Sequence, residues 1–224
     1  MTELAPDVLA RRAQLPTRPA PIAVAGSVVA LRPLDLDADC DALHAASSGA
    51  AFRLGARAVA GYDPDDKIWR WMSGGPFADA AALRRWLAAQ VEAPDGLPFT
   101  VSVAGAPVGV ANFLANQPQH LKIELGSIWY GPIAQGTAVS AETTYLMLEH
   151  AFGLGYRRVE WKCDARNQRS RRAALAYGFT FEGIQDAHYI VKRQNRDTAW
   201  FRMLDREWPG LRDRLRGYAS ARAW

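Results

Sequence analysis

The chain has 224 residues, 49% hydrophobic and 22% charged, with a formal charge of +4 at pH 7, a composition that belongs to a globular domain long enough to bury a core. No stretch of eighteen apolar residues occurs and no signal-type apolar region opens the chain, which excludes a helical membrane span and predicts a cytoplasmic protein with no membrane partner. The two cysteines, Cys40 and Cys163, lack metal-type spacing, so both are expected to be reduced and buried and no metal is expected. The basic excess is spread over arginine-rich segments; it suits a polyanionic cofactor or a solvated surface, and less specifically a nucleic acid or ribosome.

Residues 1–24 carry Pro6, Pro16, Pro19 and Pro21 and read as an extension, wrapped on the body or mobile. The body is expected over 25–208, with a last helix and tail over 209–224. A first strand alternates through Val28–Arg32 and stops at Pro33. The acidic start at Asp35 predicts a helix to Ser48, because carboxylates near an N-terminus complement the helix dipole. Residues 49–78 read as irregular. Their aromatic side chains Trp69, Trp71 and Phe77, around Gly74-Gly75-Pro76, either plug a core or line a substrate pocket. Asp79 can cap a helix through Val91 with Leu83, Trp86 and Leu87 on one side. Strands follow at Pro98–Ala104 and Val108–Leu114, joined by a hairpin-type turn.

Ile123–Tyr130 is an apolar run rich in β-formers, stopped by Gly131-Pro132. A short loop, Gln135-Gly136-Thr137, opens a helix on which Ala141, Tyr145, Leu148 and Phe152 form one apolar stripe. Such a strand, glycine-bearing loop and helix start aims free backbone N–H groups and the positive end of a dipole at one point, a ready site for phosphate oxygens. Beyond it, Val159, Trp161 and Cys163 alternate in a strand. Asn167 caps a helix ending at Gly178, whose face carries Ser170, Ala173, Ala174 and Tyr177. Phe179–Phe181 and Ala187–Lys192 are strand-like, residues 193–196 turn, and Thr198–Leu204 returns. Pro209 starts a final helix with Leu211, Leu215 and Tyr218 inward.

Several separated motifs occur here in one order: Gln135-Gly136-Thr137-Ala138 with Glu142, Gly155–Trp161, Asn167, Ser170-Arg171, Gly178-Phe179, Glu182-Gly183 and the hairpin Lys192–Trp200. Together with the element order they resemble the GCN5-related N-acetyltransferase (GNAT) superfamily over Ser27–Trp208, and most closely its RimJ/RimL-type branch. The resemblance implies an α/β (mixed α+β) fold, with a mostly antiparallel twisted sheet of about seven strands, splayed between its fourth and fifth strands and flanked by helices. It implies acetyl-CoA as co-substrate and acetyl transfer in a ternary complex to a primary amine, either a small molecule or a protein N-terminus, by a monomer or homodimer. Carried over residue by residue, Gln135, Gly136, Thr137, Ala138, Val139 and Ser140 hold the pyrophosphate with main-chain N–H groups. Asn167 bonds the pantetheine arm, and Ile128, Trp129 and Tyr130 run beside it.

Two departures stand out. Ala138 and Ser140 replace small residues of the family loop, which narrows the backbone and the clearance for phosphate. Ala174 stands where many members place a general-acid tyrosine. For the chemistry, Glu124 is the candidate base, unless it is only a strand carboxylate paired with a neighbouring arginine. It shares strand parity with Gly126, Ile128 and Tyr130. His120 and His188 are alternatives. Ser170 either hydrogen-bonds the departing sulfur or caps and packs its helix. An α-amino group of pKa about 8 needs only ~1.4 kcal/mol to become neutral at pH 7, whereas a lysine amine needs almost ~5 kcal/mol; a weakly placed base suffices for the first. The alternative is a non-catalytic CoA-binding or ribosome-associated protein on the same scaffold.

Overall fold

The computed structural model describes residues 3–224. A short helix α1 (Pro6–Ala10) and a 3-10 turn at Arg11–Ala13 lead into a segment wrapped on the body. Leu15 is buried there, and Asn116 Nδ2 donates to the carbonyls of Pro16 and Thr17 at 2.9 Å. Strands β1 (Val24–Ala25) and β2 (Val29–Pro33) precede helix α2 (Leu36–Ala45). Asp35 caps α2 by accepting from the amides of Asp37 and Ala38, as its position before an acidic first turn leads one to expect.

Residues 49–78 are more ordered than their sequence suggests. They hold a separate hairpin, β3 (Phe52–Leu54) and β4 (Arg57–Val59), then helix α3 (Pro64–Lys67) and a 3-10 turn at Trp69–Trp71. Strands of three residues are too short to show alternation. Helix α4 (Ala80–Val91) starts at Asp79, whose carboxylate accepts from Ala82 N–H at 2.7 Å. There follow β5 (Leu97–Val103), β6 (Ala106–Gln117), β7 (Lys122–Tyr130), α5 (Ala138–Gly153), β8 (Arg158–Asp164), α6 (Gln168–Ala176), β9 (Thr180–Val191), β10 (Gln194–Leu204) and α7 (Trp208–Ser220). The two strand pieces expected after Gly178 are one strand, β9. Its break in pattern is a bulge at Ala187 (φ 50°), whose N–H donates to Asp197 Oδ1. The turn closes earlier than expected, at Lys192-Arg193, so Gln194–Arg196 belong to β10.

Eight strands form the sheet in the order β1-β2-β5-β6-β7-β8-β10-β9. Every pairing is antiparallel except β7 with β8. One face packs on α5 and α7 through Ile123, Leu125, Leu148, Phe201 and Leu215. The other packs on α2 and α4 through Leu43, Leu83, Leu87, Trp69 and Trp129. Each such side chain contributes about 1.5–3 kcal/mol when fully buried.

Glu142 fixes α5 to the start of the sheet. Its buried carboxylate accepts from the amides of Ser27, Val28 and Val29 at 2.6–2.8 Å, satisfying donors of the β1–β2 turn that have no strand partner. A Cβ at Gly26 would sit 2.5 Å from the Glu142 carboxyl carbon, so only glycine allows the approach.

Candidate active site

The site forms where β7 and β8 part. Their parallel pairing covers only Lys122↔Arg158, Ile123↔Val159 and Glu124↔Glu160. Further along, β7 also bulges away from β6: between the pairs Asn112↔Gly126 and Val110↔Trp129, two residues, Ser127 and Ile128, face the single residue Ala111. Ser127 takes φ 49° there. An extra residue reverses side-chain parity downstream. The expectation that Glu124 shares a face with Ile128 and Tyr130 is therefore overturned. Ile128 and Tyr130 pack with the α5 core, Trp129 with the α2–α4 core, while Glu124 opens into a different cavity from Tyr130.

On the α5 side lies a cavity of about 270 Å³ walled by Ile128, Trp129 and Tyr130, by the loop Gln135–Thr137 with Ser140, and by Asn167, Ser170 and Tyr177. The loop amides divide into two sets. Gln135 N–H donates to Pro132 O at 3.2 Å and Ala138 N–H to Ala223 O at 3.4 Å, and Val139 N–H is taken by Thr137 Oγ1, the helix cap, at 3.2 Å. Gly136, Thr137 and Ser140 N–H have no hydrogen-bond partner among the described residues. Of the six amides expected to hold pyrophosphate, three are thus committed within the chain. Asn167 Oδ1 accepts from Ser170 N–H, and its amide NH₂ has no partner among the described residues.

The second cavity, about 180 Å³, holds Glu124, Ser127, Lys162, Asn167, Ser170 and Arg196. Glu124 is only 2% exposed and lies 2.8 Å from Lys162 Nζ. Burial pushes its carboxyl pKa up, and the neighbouring ammonium only partly opposes this; a carboxylate so placed binds a proton more readily than one in water. The partner is therefore a lysine on the facing strand, with an open cavity beside it. Ser170 borders both cavities, and its Oγ accepts from Trp161 Nε1 at 3.0 Å.

Among the aromatic candidates only Trp71 faces the cavities, with the Arg166 guanidinium 5.4 Å over its ring. The expectation for the other two is corrected. Trp69 is fully buried, its Nε1 donating to Ser47 O, and Phe77 packs edge-on against it at 4.9 Å. Large apolar side chains packed between α2, α4 and the sheet gain more from the core than from a pocket wall. His120 lies exposed on the 3-10 turn Pro118–His120, and His188 stacks on Tyr189; neither borders the Glu124 cavity. Three polar residues escaped the sequence reading as site residues: Lys162, Arg196 and Tyr177, whose hydroxyl donates to Ser140 Oγ at 2.9 Å. The i, i+3, i+7 spacing of Ser170, Ala173 and Tyr177 carried the signal for the last. Among the described residues no group of three or more His, Cys, Asp or Glu could hold a metal, and no helix is long and apolar enough to cross a membrane.

Residues 29–180 match the model of the acetyltransferase (GNAT) domain. The chain belongs to the GNAT acetyltransferase family. It is similar to a GCN5-related N-acetyltransferase from Brucella melitensis at 35% identity and TM-score 0.80, over 90% of this chain and 87% of that one. A probable acetyltransferase (GNAT family) from Chromobacterium violaceum aligns at 34% identity and TM-score 0.76, over 86% and 90%. Mycobacterium smegmatis RimJ in complex with CoA-disulfide shares the fold at 18% identity and TM-score 0.64, over 92% and 95%. No curated protein matches the sequence. GNAT acetyltransferases use acetyl-CoA, and the α5-side cavity suits it: three unpartnered amides and a helix N-terminus offer donors to phosphate oxygens, while Arg222 adds a cation at the rim.

Proposed function

We propose that this GNAT chain transfers acetyl from acetyl-CoA to a primary amine entering on the Glu124 side of the cleft. The observation that carries the reading is the meeting, at Ser170, of an amide-lined cavity with one that holds a buried carboxylate of raised proton affinity. When bound, acetyl-CoA supplies a thioester carbonyl carbon open to attack by a neutral amine. Gly136, Thr137 and Ser140 N–H, with Arg222, hold the diphosphate. The bulge at Ser127-Ile128 turns main chain out of the ladder, where it can donate to an oxygen gaining charge. Asn167 NH₂ orients the pantetheine arm. Glu124 accepts the proton of the amine, directly or through a water, and Lys162 keeps it ionised for that purpose. Ser170 Oγ donates to the leaving sulfur.

The RimJ/RimL-type branch, with a protein α-amine as acceptor, is supported by the Lys192–Trp200 hairpin sequence. Ala174 in place of a tyrosine and the Ala223 contact on Ala138 favour a second reading, a CoA-binding protein without turnover. Calorimetric titration with acetyl-CoA tests binding, and thiol release across a panel of amines and peptide N-termini tests turnover. A folded protein silent in the titration overturns both readings. Binding without thiol release leaves the second.

A further inference from the structure

The cations of the acceptor side differ in one respect. Lys162 is paired with Glu124 at 2.8 Å, Arg166 with Asp164 at 2.8 Å, and Arg70 and Lys192 reach Asp65 at 3.7 and 3.6 Å. Arg196 has no carboxylate within ion-pair distance and no hydrogen bond from its guanidinium among the described residues, and its Nε is a buried donor without a partner. It borders the 180 Å³ cavity and also an adjoining one of about 320 Å³. The Tyr189 ring lies 5.6 Å away, and the charge of Arg196 acts on the Glu124 and Asp164 carboxylates without pairing with either. The β9 bulge at Ala187, held by Asp197, lies beside it in the ladder and fixes β10 where the guanidinium enters the cavity.

An unpaired, partly desolvated guanidinium is an unfavourable thing to leave without an anion, and its fork of donors matches a carboxylate. We propose that the acceptor amine itself carries a carboxylate, which Arg196 binds while Glu124 faces the amine. This rests on the acetyl-transfer reading and narrows its substrate class. A cavity of 180 Å³ holds one amino-acid backbone, and the adjoining space takes a side chain. The carboxylate has two sources: a free amino acid, or the acidic side chain of a peptide's first residue. A polyamine has neither and would set its cations against Arg196.

The test compares glycine, L-alanine, L-serine, L-aspartate and L-glutamate with their α-carboxamides, and Asp-Ala and Glu-Ala dipeptide amides with Ala-Ala amide, all by thiol release from acetyl-CoA. A carboxylate raises the pKa of the neighbouring amine, so intrinsic reactivity favours the carboxamides. A preference for acids must then come from the protein. The expected kcat/KM ratio of acid to amide is tenfold or more. Preference for free acids identifies amino acids, and preference for the acidic dipeptides over Ala-Ala amide identifies peptide N-termini. Arg196→Gln should bring the ratio near one, and Arg196→Lys should restore part of it. Calorimetry with N-acetyl-L-amino acids against their N-acetyl carboxamides reads the same discrimination without turnover. Equal use by the wild type both of acids and their amides and of the acidic dipeptides and Ala-Ala amide, or a preference unchanged in Arg196→Gln, overturns the proposal. If no amine is acetylated the proposed function falls, and the calorimetric comparison still decides for or against Arg196 as a carboxylate site.

Discussion

The two cavities of the cleft are built from different material. The α5-side cavity is made largely of backbone: three free amides, a helix N-terminus and a bulged strand. The other is made of side chains, with Glu124, Lys162, Arg196 and Trp71 contributed by four segments far apart in sequence. A backbone site tolerates side-chain change as long as the conformation survives, which is why alanine at position 138 and serine at 140 are compatible with it. A side-chain site has no such latitude, since one substitution removes the group itself. Substitutions that probe each half should therefore fail in different ways.

The largest effect is expected on the side-chain half. Glu124→Gln should lower kcat/KM by about 10²–10⁴-fold while leaving the calorimetric affinity for CoA within about twofold. The pH profile provides the sharper check. Burial raises the Glu124 pKa, with Glu160 adding to the rise and Lys162 and Arg196 opposing it. The base works only when deprotonated, so wild-type kcat/KM should climb with pH through that raised value. The substituted enzyme should lose this limb and keep only the one due to the amine. An unchanged profile would remove Glu124 from the mechanism and reduce it to the strand carboxylate that its sequence context equally allows.

The backbone half is braced from behind by Glu142. Glu142→Ala removes three charge-assisted bonds and leaves the amides of Ser27, Val28 and Val29 without partners, a loss of roughly 3 kcal/mol or more. It should appear as a lower midpoint in urea unfolding, with kcat falling little at temperatures where the protein remains folded. A loss of CoA affinity without a loss of stability would mean that Glu142 acts on the loop instead of the turn.

The same contrast governs what the sequence made legible. Elements that signal themselves locally were readable: the Asp35, Asp79 and Asn167 caps, the apolar stripe of α5 and the glycine-bearing loop ahead of it. So was the fold, because seven separated motifs in one order leave few topologies. Which loop amides remain free was not readable, since Gln135 and Ala138 lose theirs to Pro132 and to Ala223, the latter 85 positions away. Neither was the bulge at Ser127, which shifts parity by one residue: Gly126 beside it is the kind of strand glycine that marks a bulge, but a lone glycine does not say on which side the extra residue lies. Lys162 and Arg196 were invisible for another reason. A charged residue on a strand looks solvent-facing until its neighbours are known: Lys162 meets Glu124 of β7, and Arg196 lies beside the Tyr189 ring of β9. Trp69, Trp71 and Phe77 show the limit from the other side: three aromatics in one segment, of which the fold sends two to the core and one to the cleft.

A glycine should matter more to the backbone half than any of its side chains. Gly136 sits at φ 73° with nothing within 4 Å of the position a Cβ would take. Gly136→Ala therefore meets no clash, only the cost of a left-handed conformation, about 1 kcal/mol. CoA affinity should weaken about fivefold, with kcat nearly unchanged once the site is saturated. Ala138→Gly should change affinity less, because both residues offer the same N–H.

The smallest expected effect concerns the Ala223 carbonyl on Ala138 N–H. At 3.4 Å the bond is long, and such a contact contributes at the weak end of the usual 0.5–1.5 kcal/mol. A diphosphate oxygen, carrying charge and meeting the helix dipole, makes the stronger partner for the same donor. Removing residues 223–224 while keeping Arg222 leaves that donor open, so CoA should bind about twofold more tightly. Trp224 complicates the outcome, because its ring lies 5.2 Å from the Arg57 guanidinium and packs on the core. A Trp224→Ala variant isolates that packing, since it keeps the carbonyl. If the shortened chain binds CoA less tightly than Trp224→Ala does, the tail supports the pocket instead of competing for it, and the fourth amide of the cradle is not available to phosphate.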